Sequence, residues 1–200
     1  MHEHLSEMSQ RLEDSEKEIE SLRQQLQESQ RGMLTDHLTG IGNRRMFDRF
    51  VANFVSRKSS LSARMFVVLI DLDRFKAIND QHGHAAGDQV IQFLATSLTS
   101  QWPGIAFARL GGDEFAAFFE CDDREDVVEF ASDIKSHFAS QELVLGRDQE
   151  TIGHLQFSIG VALLRDNDTE QSWVNRADEL LYEAKRLGRN RSVVEPVRHE

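Results

Sequence analysis

Acidic residues that follow a strand-like segment are the first candidates for chemistry in this sequence. The apolar run 65–70 ends at Asp71-Leu72-Asp73, which is typical of a central strand that carries carboxylates to one edge of a sheet. Ligands of α/β proteins bind at such edges. The alternative is that Asp71 only begins a turn or caps the next helix.

A second acidic pair lies in a predicted β-hairpin. Apolar, strand-like runs flank Gly111-Gly112-Asp113-Glu114, and two glycines between such runs indicate a hairpin whose tip displays Asp113 and Glu114. Because Gly111 and Gly112 have no side chains, a phosphate group could approach their backbone closely. A solvated acidic turn has the same appearance, so the hairpin is informative only in combination with the first acidic segment.

The elements that must position these residues alternate between helical and strand periodicity from Asp36 onward. Such alternation predicts one compact α/β domain, a mixed sheet of about five strands flanked by helices. The predicted helices cover residues 43–57, 87–99, 124–138 and 171–187. The predicted strands cover residues 65–70, 105–110, 115–120 and 155–163, with weaker candidates at 143–145 and 192–194.

Residues 1–33 differ in composition from the rest of the chain and carry a heptad pattern. Spacings of three and four alternate along Leu5, Met8, Leu12, Ser15, Ile19, Leu22, Leu26, Ser29 and Met33. In this register, opposite charges at the e and g positions meet across two parallel helices. We therefore expect a dimeric coiled-coil stalk over 1–33 and a globular domain over 34–200. A solvated single helix is the alternative.

Composition excludes several classes of protein. The formal net charge of −11 argues against a nucleic-acid binder, which presents a broad basic surface. A small phosphorylated ligand remains compatible, because it needs only a few local cations and a metal ion. No segment approaches the roughly 18 apolar residues of a membrane span, and Cys121 is the only cysteine, so it has no internal disulfide partner. We expect a cytoplasmic protein without membrane contact.

Six motifs occur in order along the sequence. The first to be recognised is Gly111-Gly112-Asp113-Glu114-Phe115, and the others lie at residues 36–45, 71–80, 83–88, 157–162 and 177–190. Together they resemble the GGDEF family of diguanylate cyclases over about residues 34 to 195, and six ordered motifs are far more specific than one pentapeptide. The resemblance implies an α+β fold like the palm of nucleotidyl cyclases, with a five-stranded mixed sheet flanked by helices.

The resemblance also implies a site for two divalent cations. Asp71 and Asp113 would hold two Mg²⁺ or Mn²⁺ ions together with the backbone carbonyl of Leu72, and Glu114 would assist at the same site. Hard cations of this type prefer carboxylate and carbonyl oxygens and share their coordination with nucleotide phosphates.

The substrate contacts that the resemblance implies lie on both sides of this site. Lys76, Lys185 and Arg189 would contact the phosphates of GTP, while Asn79 and Asp88 would bind guanine, whose N–H donors a carboxylate can accept. Each has a simpler alternative: cations near a helix C-terminus stabilise the helix dipole, and an aspartate near a helix start can be a cap.

The implied reaction condenses two GTP molecules to cyclic di-GMP and two pyrophosphates. Each domain resembles half an active site, so two GTP-loaded domains must face each other, and a coiled coil raises their effective concentration. A catalytically silent GTP-binding switch and a cyclase for another nucleotide are the rival hypotheses. The stalk suggests an upstream sensor domain or a separate partner as the source of regulation.

One segment departs from the family pattern. Many members carry an Arg-x-x-Asp product-inhibition motif before the hairpin, and here its two positions are Trp102 and Ile105. We therefore do not expect feedback inhibition through that motif.

Overall fold

The computed structural model describes residues 17–18, 33–145 and 150–196. The chain divides into two units, Met1–Thr35 and Asp36–Glu200. The predicted coiled coil lies almost entirely outside the described residues, of which Lys17 and Glu18 are helical and exposed, and it stays a prediction. Within the described ranges, no helix is long and apolar enough to cross a membrane.

The second unit alternates helices and strands along the chain. Its helices are α1 (Arg44–Arg57), α2 (Phe75–His82), α3 (His84–Gln101), α4 (Arg124–Ala139) and α5 (Glu170–Arg186). Its strands are β1 (Gly42–Asn43), β2 (Arg64–Leu72), β3 (Ala106–Gly111), β4 (Glu114–Cys121), β5 (Leu143–Leu145), β6 (Glu150–Gly153), β7 (Phe157–Leu163) and β8 (Arg191–Val194).

The central sheet is mixed and has the strand order β1-β3-β4-β2-β7-β8. Strand β2 lies in the middle and pairs antiparallel with β4 and β7, while β1 joins β3 and β8 joins β7 in parallel. The mixed sheet is confirmed, but it has six strands where the sequence predicted five. The additional strand, β1, has only two residues, too few to produce an apolar alternation. Strands β5 and β6 form a separate hairpin.

Strand β2 is buried on both faces of the sheet, which explains its unbroken apolar sequence. Phe66, Val68 and Ile70 belong to a core shared with α3 and α4, whereas Val67 and Leu69 belong to a core shared with α1 and α5. Side chains alternate along a strand. Position 71 therefore lies on the face covered by α5.

Two helices near the site differ from the predictions. The predicted helix 87–99 begins earlier, at His84, and the preceding helix α2 was not predicted. Helix α2 has eight residues and no side-chain cap, and it begins after Arg74, whose φ is 62°. A helix this short has no extended apolar periodicity, and without a capping residue its start is not marked in the sequence.

Candidate active site

Asp71 lies inside β2 and is flanked by both neighbouring strands. It pairs with Glu114 of β4 on one side and with Ser158 of β7 on the other. The next residue, Leu72, donates its backbone N–H to the backbone carbonyl of Asp113, at 3.2 Å. The end of β2 and the hairpin between β3 and β4 are thus hydrogen-bonded, which brings the two acidic segments of the sequence together.

The carboxylate of Asp71 is in an unfavourable environment for a negative charge. The residue is only 7% exposed, and the ammonium of Lys185 on α5 lies 2.6 Å from its Oδ2. Burial raises the pKa of Asp71 to about 6, Lys185 partly offsets this effect, and the charges of Asp113 and Asp73 add to it. Asp71 is therefore a carboxylate whose charge is only partly compensated by the protein.

The hairpin between β3 and β4 turns through two glycines. Gly111 and Gly112 have φ angles of 147° and 53°, which residues other than glycine rarely adopt. A Cβ atom added at either position would meet nothing within 4 Å. The backbone of the tip is therefore open to a ligand, as the sequence predicted.

Arg109, which was not among the predicted site residues, hydrogen-bonds to the backbone of the hairpin tip. Its Nε and Nη2 donate to the carbonyl of Gly112, at 3.0 and 2.9 Å, and its Nη1 donates to Asp36 Oδ1 at 3.1 Å. Burial opposes the charge of Asp36, but hydrogen bonds from Thr39 and Arg109 outweigh it and lower the pKa of Asp36. This ion pair links the first loop of the domain to the hairpin tip.

Glu114 forms an exposed ion pair with Arg44. Its Oε2 lies 3.9 Å from Nη2 of Arg44, and the two side chains are 46% and 55% exposed. An exposed pair at this separation contributes little to stability. The Glu114 side chain can therefore be recruited by a ligand at low cost.

The residues at this edge fit a divalent cation. Asp71 and Asp113 supply two carboxylates, and the charge of Asp113 contributes to the raised pKa of Asp71. A cation bound to them would relieve the cost of burying negative charge. Among the described residues, no three His, Cys, Asp or Glu side chains converge as a ready-made metal site. A cation here would need the Leu72 carbonyl and nucleotide phosphates to complete its ligands, which suits Mg²⁺.

The predicted guanine contacts lie where α2 and α3 pack together. Gly87 is buried, and a Cβ at this position would come within 1.9 Å of Asn79 Oδ1. Asn79 thus lies directly against the residue that precedes Asp88, and Asp88 is exposed. Asp88 is the fifth residue of α3, which begins after Gly83. The interpretation of Asp88 as a helix cap is therefore wrong.

The predicted phosphate contacts Lys185 and Arg189 lie at the end of α5, while Lys76 is exposed on α2. The amides of Gly188 and Arg189 donate back to the carbonyls of Lys185 and Ala184, which is the Schellman arrangement for ending a helix at glycine. The backbone of Gly188 and Arg189 therefore ends the helix, whatever the Arg189 side chain does. This helix end leaves the ammonium of Lys185 directed at Asp71.

Asp73 is a second residue that the sequence analysis left without a role. It is buried, accepts a hydrogen bond from Ser158 Oγ at 2.7 Å and another from the backbone N–H of Asn190 at 2.9 Å. The Asp-x-Asp spacing marked the position, but its partners are distant in sequence.

The segment that departs from the Arg-x-x-Asp pattern is packed into the protein. The ring of Trp102 makes edge-to-face contacts with Phe130 and His137, with centroids 5.9 and 5.7 Å apart. Ile105 packs against the core on the α3 and α4 face. These two positions therefore serve packing.

Comparisons with known proteins agree with this geometry. A family model described as "Diguanylate cyclase, GGDEF domain" matches residues 33–191. The diguanylate cyclase VdcA of Vibrio cholerae is 35% identical over 175 residues, which are 87% of this chain and 50% of VdcA. The response regulator PleD of Caulobacter vibrioides is 34% identical over 171 residues, which are 84% of this chain and 37% of PleD.

A solved structure is similar over nearly the whole chain. It is the coiled coil and GGDEF domain of DgcB from Caulobacter crescentus, determined in complex with c-di-GMP. Its TM-score is 0.86 at 32% identity, and the match covers 94% of this chain and 99% of that one. The present chain spans half or less of VdcA and PleD. On the family model, the relatives and the fold together, the chain belongs to the GGDEF-domain family of diguanylate cyclases.

Proposed function

We propose that this chain is an active, metal-dependent diguanylate cyclase that condenses two GTP molecules to cyclic di-GMP and two pyrophosphates. The observation that carries the proposal is the meeting of Asp71 and Asp113 at one edge of the sheet, through the hydrogen bond from Leu72 N–H to the Asp113 carbonyl. A buried carboxylate with a raised pKa beside a second acidic side chain is typical of a binding or catalytic site.

The metal ligands in this proposal are Asp71, Asp113 and the backbone carbonyl of Leu72. They would hold two Mg²⁺ or Mn²⁺ ions, with Glu114 beside them. When bound, the ions would neutralise phosphate charge and lower the pKa of the attacking hydroxyl.

The proposed substrate contacts would bind GTP across the hairpin. Lys76, Lys185 and Arg189 would bind the phosphates, and the open backbone of Gly111 and Gly112 would let them approach. Cationic side chains of this kind are strong phosphate partners.

The guanine base would lie at the packed helices α2 and α3. Asn79 and Asp88 would hydrogen-bond its edge, and the carboxylate of Asp88 would select guanine, since it accepts from N–H donors that adenine lacks.

The chemical step requires two copies of the domain. The 3′-hydroxyl of one GTP attacks the α-phosphorus of the other, a P–O bond forms, the bond to pyrophosphate breaks, and the proton passes to a carboxylate, for which we propose Asp113. A second, reciprocal step closes the ring. Each domain contributes one half of the site, so a homodimer through a parallel coiled coil over 1–33 would supply the required proximity. An upstream sensor domain or a separate partner would regulate it.

The direct test is incubation of the purified chain with GTP and Mg²⁺ or Mn²⁺, followed by mass spectrometry of the products. We expect cyclic di-GMP and pyrophosphate, both lost in Asp113→Ala. Asp133→Ala, which removes an exposed carboxylate of α4, is the matched control and should retain activity. Bound GTP without product would favour the silent switch. A cyclic dinucleotide that contains adenine, formed when ATP is supplied together with GTP, would overturn the assignment of Asp88. Activity that survives in Asp113→Ala would overturn the metal site.

A further inference from the structure

Asp73 is a deeply buried carboxylate whose two oxygens are both engaged by protein donors. Its side chain is 1% exposed. Oδ1 accepts from the hydroxyl of Ser158 at 2.7 Å, and Oδ2 accepts from the backbone N–H of Asn190 at 2.9 Å. A buried carboxylate bonded in this way is already satisfied, which distinguishes it from the under-compensated Asp71 two residues earlier.

The turn that Asp73 contacts has an unusual backbone. Gly188, Arg189 and Asn190 follow one another with φ angles of 115°, 63° and 48°. Glycine adopts such angles freely and asparagine tolerates them, but arginine rarely does. Residues with rare backbone angles persist where surrounding contacts hold them. The helix-terminating hydrogen bonds account for the amides of Gly188 and Arg189. For Asn190, the hydrogen bond that fixes the amide is the one to Asp73.

This turn carries Arg189, a cation of the proposed phosphate site. Arg189 Nε lies 3.9 Å from Asp73 Oδ1, and its side chain is 52% exposed. Asp73 therefore attracts one side of the guanidinium, and the exposed remainder can reach a ligand. Asp73 is itself held beside the end of β2, because its backbone N–H donates to the carbonyl of Gln156 at 2.8 Å. Its carboxylate therefore fixes the turn relative to the sheet edge where Asp71 lies.

We infer that Asp73 is a positioning residue, which holds the turn 188–190 so that Arg189 meets the phosphates of GTP. It acts through Arg189 and is not a metal ligand. The inference rests on the GTP binding proposed above, and its tests are chosen to separate the two.

Binding of 3′-deoxy-GTP, which lacks the attacking hydroxyl and so cannot turn over, is the first measurement. We expect Asp73→Ala to weaken its binding, by calorimetry with Mg²⁺, roughly tenfold. Binding of 3′-deoxyguanosine, followed by NMR, should not change, because a nucleoside has no phosphates for Arg189. Asp73→Asn keeps an acceptor for Asn190 and should fold even if Asp73→Ala does not. It should lose less affinity for 3′-deoxy-GTP than Asp73→Ala does. Ser158→Ala, which leaves the Asn190 bond intact, is the matched control.

A double-variant comparison tests whether Asp73 acts through Arg189. If it does, Asp73→Ala combined with Arg189→Ala should bind 3′-deoxy-GTP no more weakly than Arg189→Ala alone. Hydrogen exchange of the Asn190 amide in the ligand-free chain should also be faster in Asp73→Ala than in Ser158→Ala, which reports the turn without any ligand.

Four outcomes decide the matter. Failure of the wild-type chain to bind 3′-deoxy-GTP would overturn the proposed function and this inference with it. Losses that multiply in the double variant would overturn the inference alone, and so would unchanged exchange at Asn190. Loss of Mn²⁺ binding in Asp73→Asn as large as that in Asp71→Asn would identify Asp73 as a metal ligand instead.

Discussion

At the scale of single residues, the buried carboxylates Asp71 and Asp168 differ in how far the protein compensates their charge. Asp168 is buried, which opposes its charge, but Nη1 and Nη2 of Arg176 lie 2.5 and 2.8 Å from its oxygens, and its pKa is lowered. Asp71 is buried as well, yet the single ammonium of Lys185 does not prevent its pKa from rising. Raised pKa values that the protein leaves uncorrected are typical of binding and catalytic sites.

The pKa of Asp71 can be tested directly. In metal-free protein, carboxyl ¹³C NMR should show Asp71 titrating at about 6, against an ordinary value of 3.8. Lys185→Met should raise this pKa further, because the ammonium lowers it, and Asp113→Asn should reduce it, because the neighbouring charge raises it. An ordinary pKa for Asp71, or shifts of the opposite sign, would contradict the geometry described here.

The same shift has a consequence for stability. Between pH 3.8 and about 6 the folded state holds the proton of Asp71 more tightly than the unfolded state does. Ionisation of Asp71 therefore disfavours folding, and its contribution to the free energy of unfolding increases as the pH falls from above 6 towards 4. The difference in urea midpoint between the metal-free wild type and Asp71→Asn isolates this contribution, since the variant lacks the titrating group.

The sequence was informative about residues that a local pattern or a family motif marks. Asp71 follows a strand-like run, and Asp113 and Glu114 lie in a predicted hairpin, but that Asp71 and Asp113 share a site was predicted from the family resemblance. Asp73 and Arg109 were missed because their partners, Asn190 and Asp36, are 117 and 73 positions away. No local periodicity carries information about such pairs.

At the scale of elements, glycines at two close contacts determine how the site is assembled. A Cβ at Gly160 of β7 would lie 2.3 Å from both the carbonyl of Ala177 and the amide of Leu181, so the backbone of α5 rests directly on the strand. At Gly87 the neighbour is instead the tip of a side chain, that of Asn79. The two positions should therefore respond differently to alanine.

Gly87→Ala should affect binding more than stability. The added methyl group displaces the flexible side chain of Asn79, while alanine is favoured over glycine in a helix by about 1 kcal/mol. We expect an unchanged or slightly increased melting temperature and clearly weaker GTP binding. In an Asn79→Ala background the second substitution should have no further effect on GTP affinity; an additional loss there would show that Gly87 acts in another way.

Gly160→Ala should affect stability first. Because the methyl group would meet helix backbone, α5 must shift from the sheet, at a cost of roughly 1–3 kcal/mol for an overpacked core. Denaturant unfolding measures this loss. Gly42→Ala is a suitable control, because its Cβ would meet the flexible end of the Met46 side chain. Its free energy of unfolding should fall by less than that of Gly160→Ala. Equal losses would argue against close packing of α5 as the cause.

The elements that the sequence predicted are those with long periodic patterns. Helices α1, α4 and α5 and strands β2, β3, β4 and β7 agree with the predictions to within a few residues. The missed elements, α2, β1 and β6, have eight, two and four residues, and tertiary contacts rather than local pattern stabilise them. Helix α2 carries Asn79. The proposed guanine site therefore depends on a helix that the sequence did not predict.

At the scale of the whole molecule, the domain presents its proposed site at one open edge. The hairpin tip at Gly111 and Gly112 has open space beside it, and Arg109 connects the underside of that tip to Asp36, three residues after the predicted stalk ends. In the proposed mechanism, this site is completed by a second domain. The oligomeric state is therefore the whole-molecule property on which the proposed activity depends.

Disruption of the predicted stalk tests this dependence. Ile19→Asp combined with Leu26→Asp places charges at two a positions of the heptads, where a coiled coil requires apolar side chains. Gln10→Asp with Gln24→Asp adds the same charges at outward f positions and is the matched control. The a-position variant should be monomeric by analytical ultracentrifugation at micromolar concentration, while the control remains dimeric.

Loss of the dimer should change the kinetics in a specific way. When two domains are no longer tethered, their encounter becomes bimolecular, and tethering through short linkers corresponds to effective concentrations of roughly millimolar. Cyclic di-GMP formation per chain should therefore be low at submicromolar protein and rise with protein concentration in the a-position variant, but be independent of concentration in the control. A monomeric variant with undiminished, concentration-independent activity would mean that the domains do not need the stalk to meet, and the proposed half-site mechanism would lose its basis.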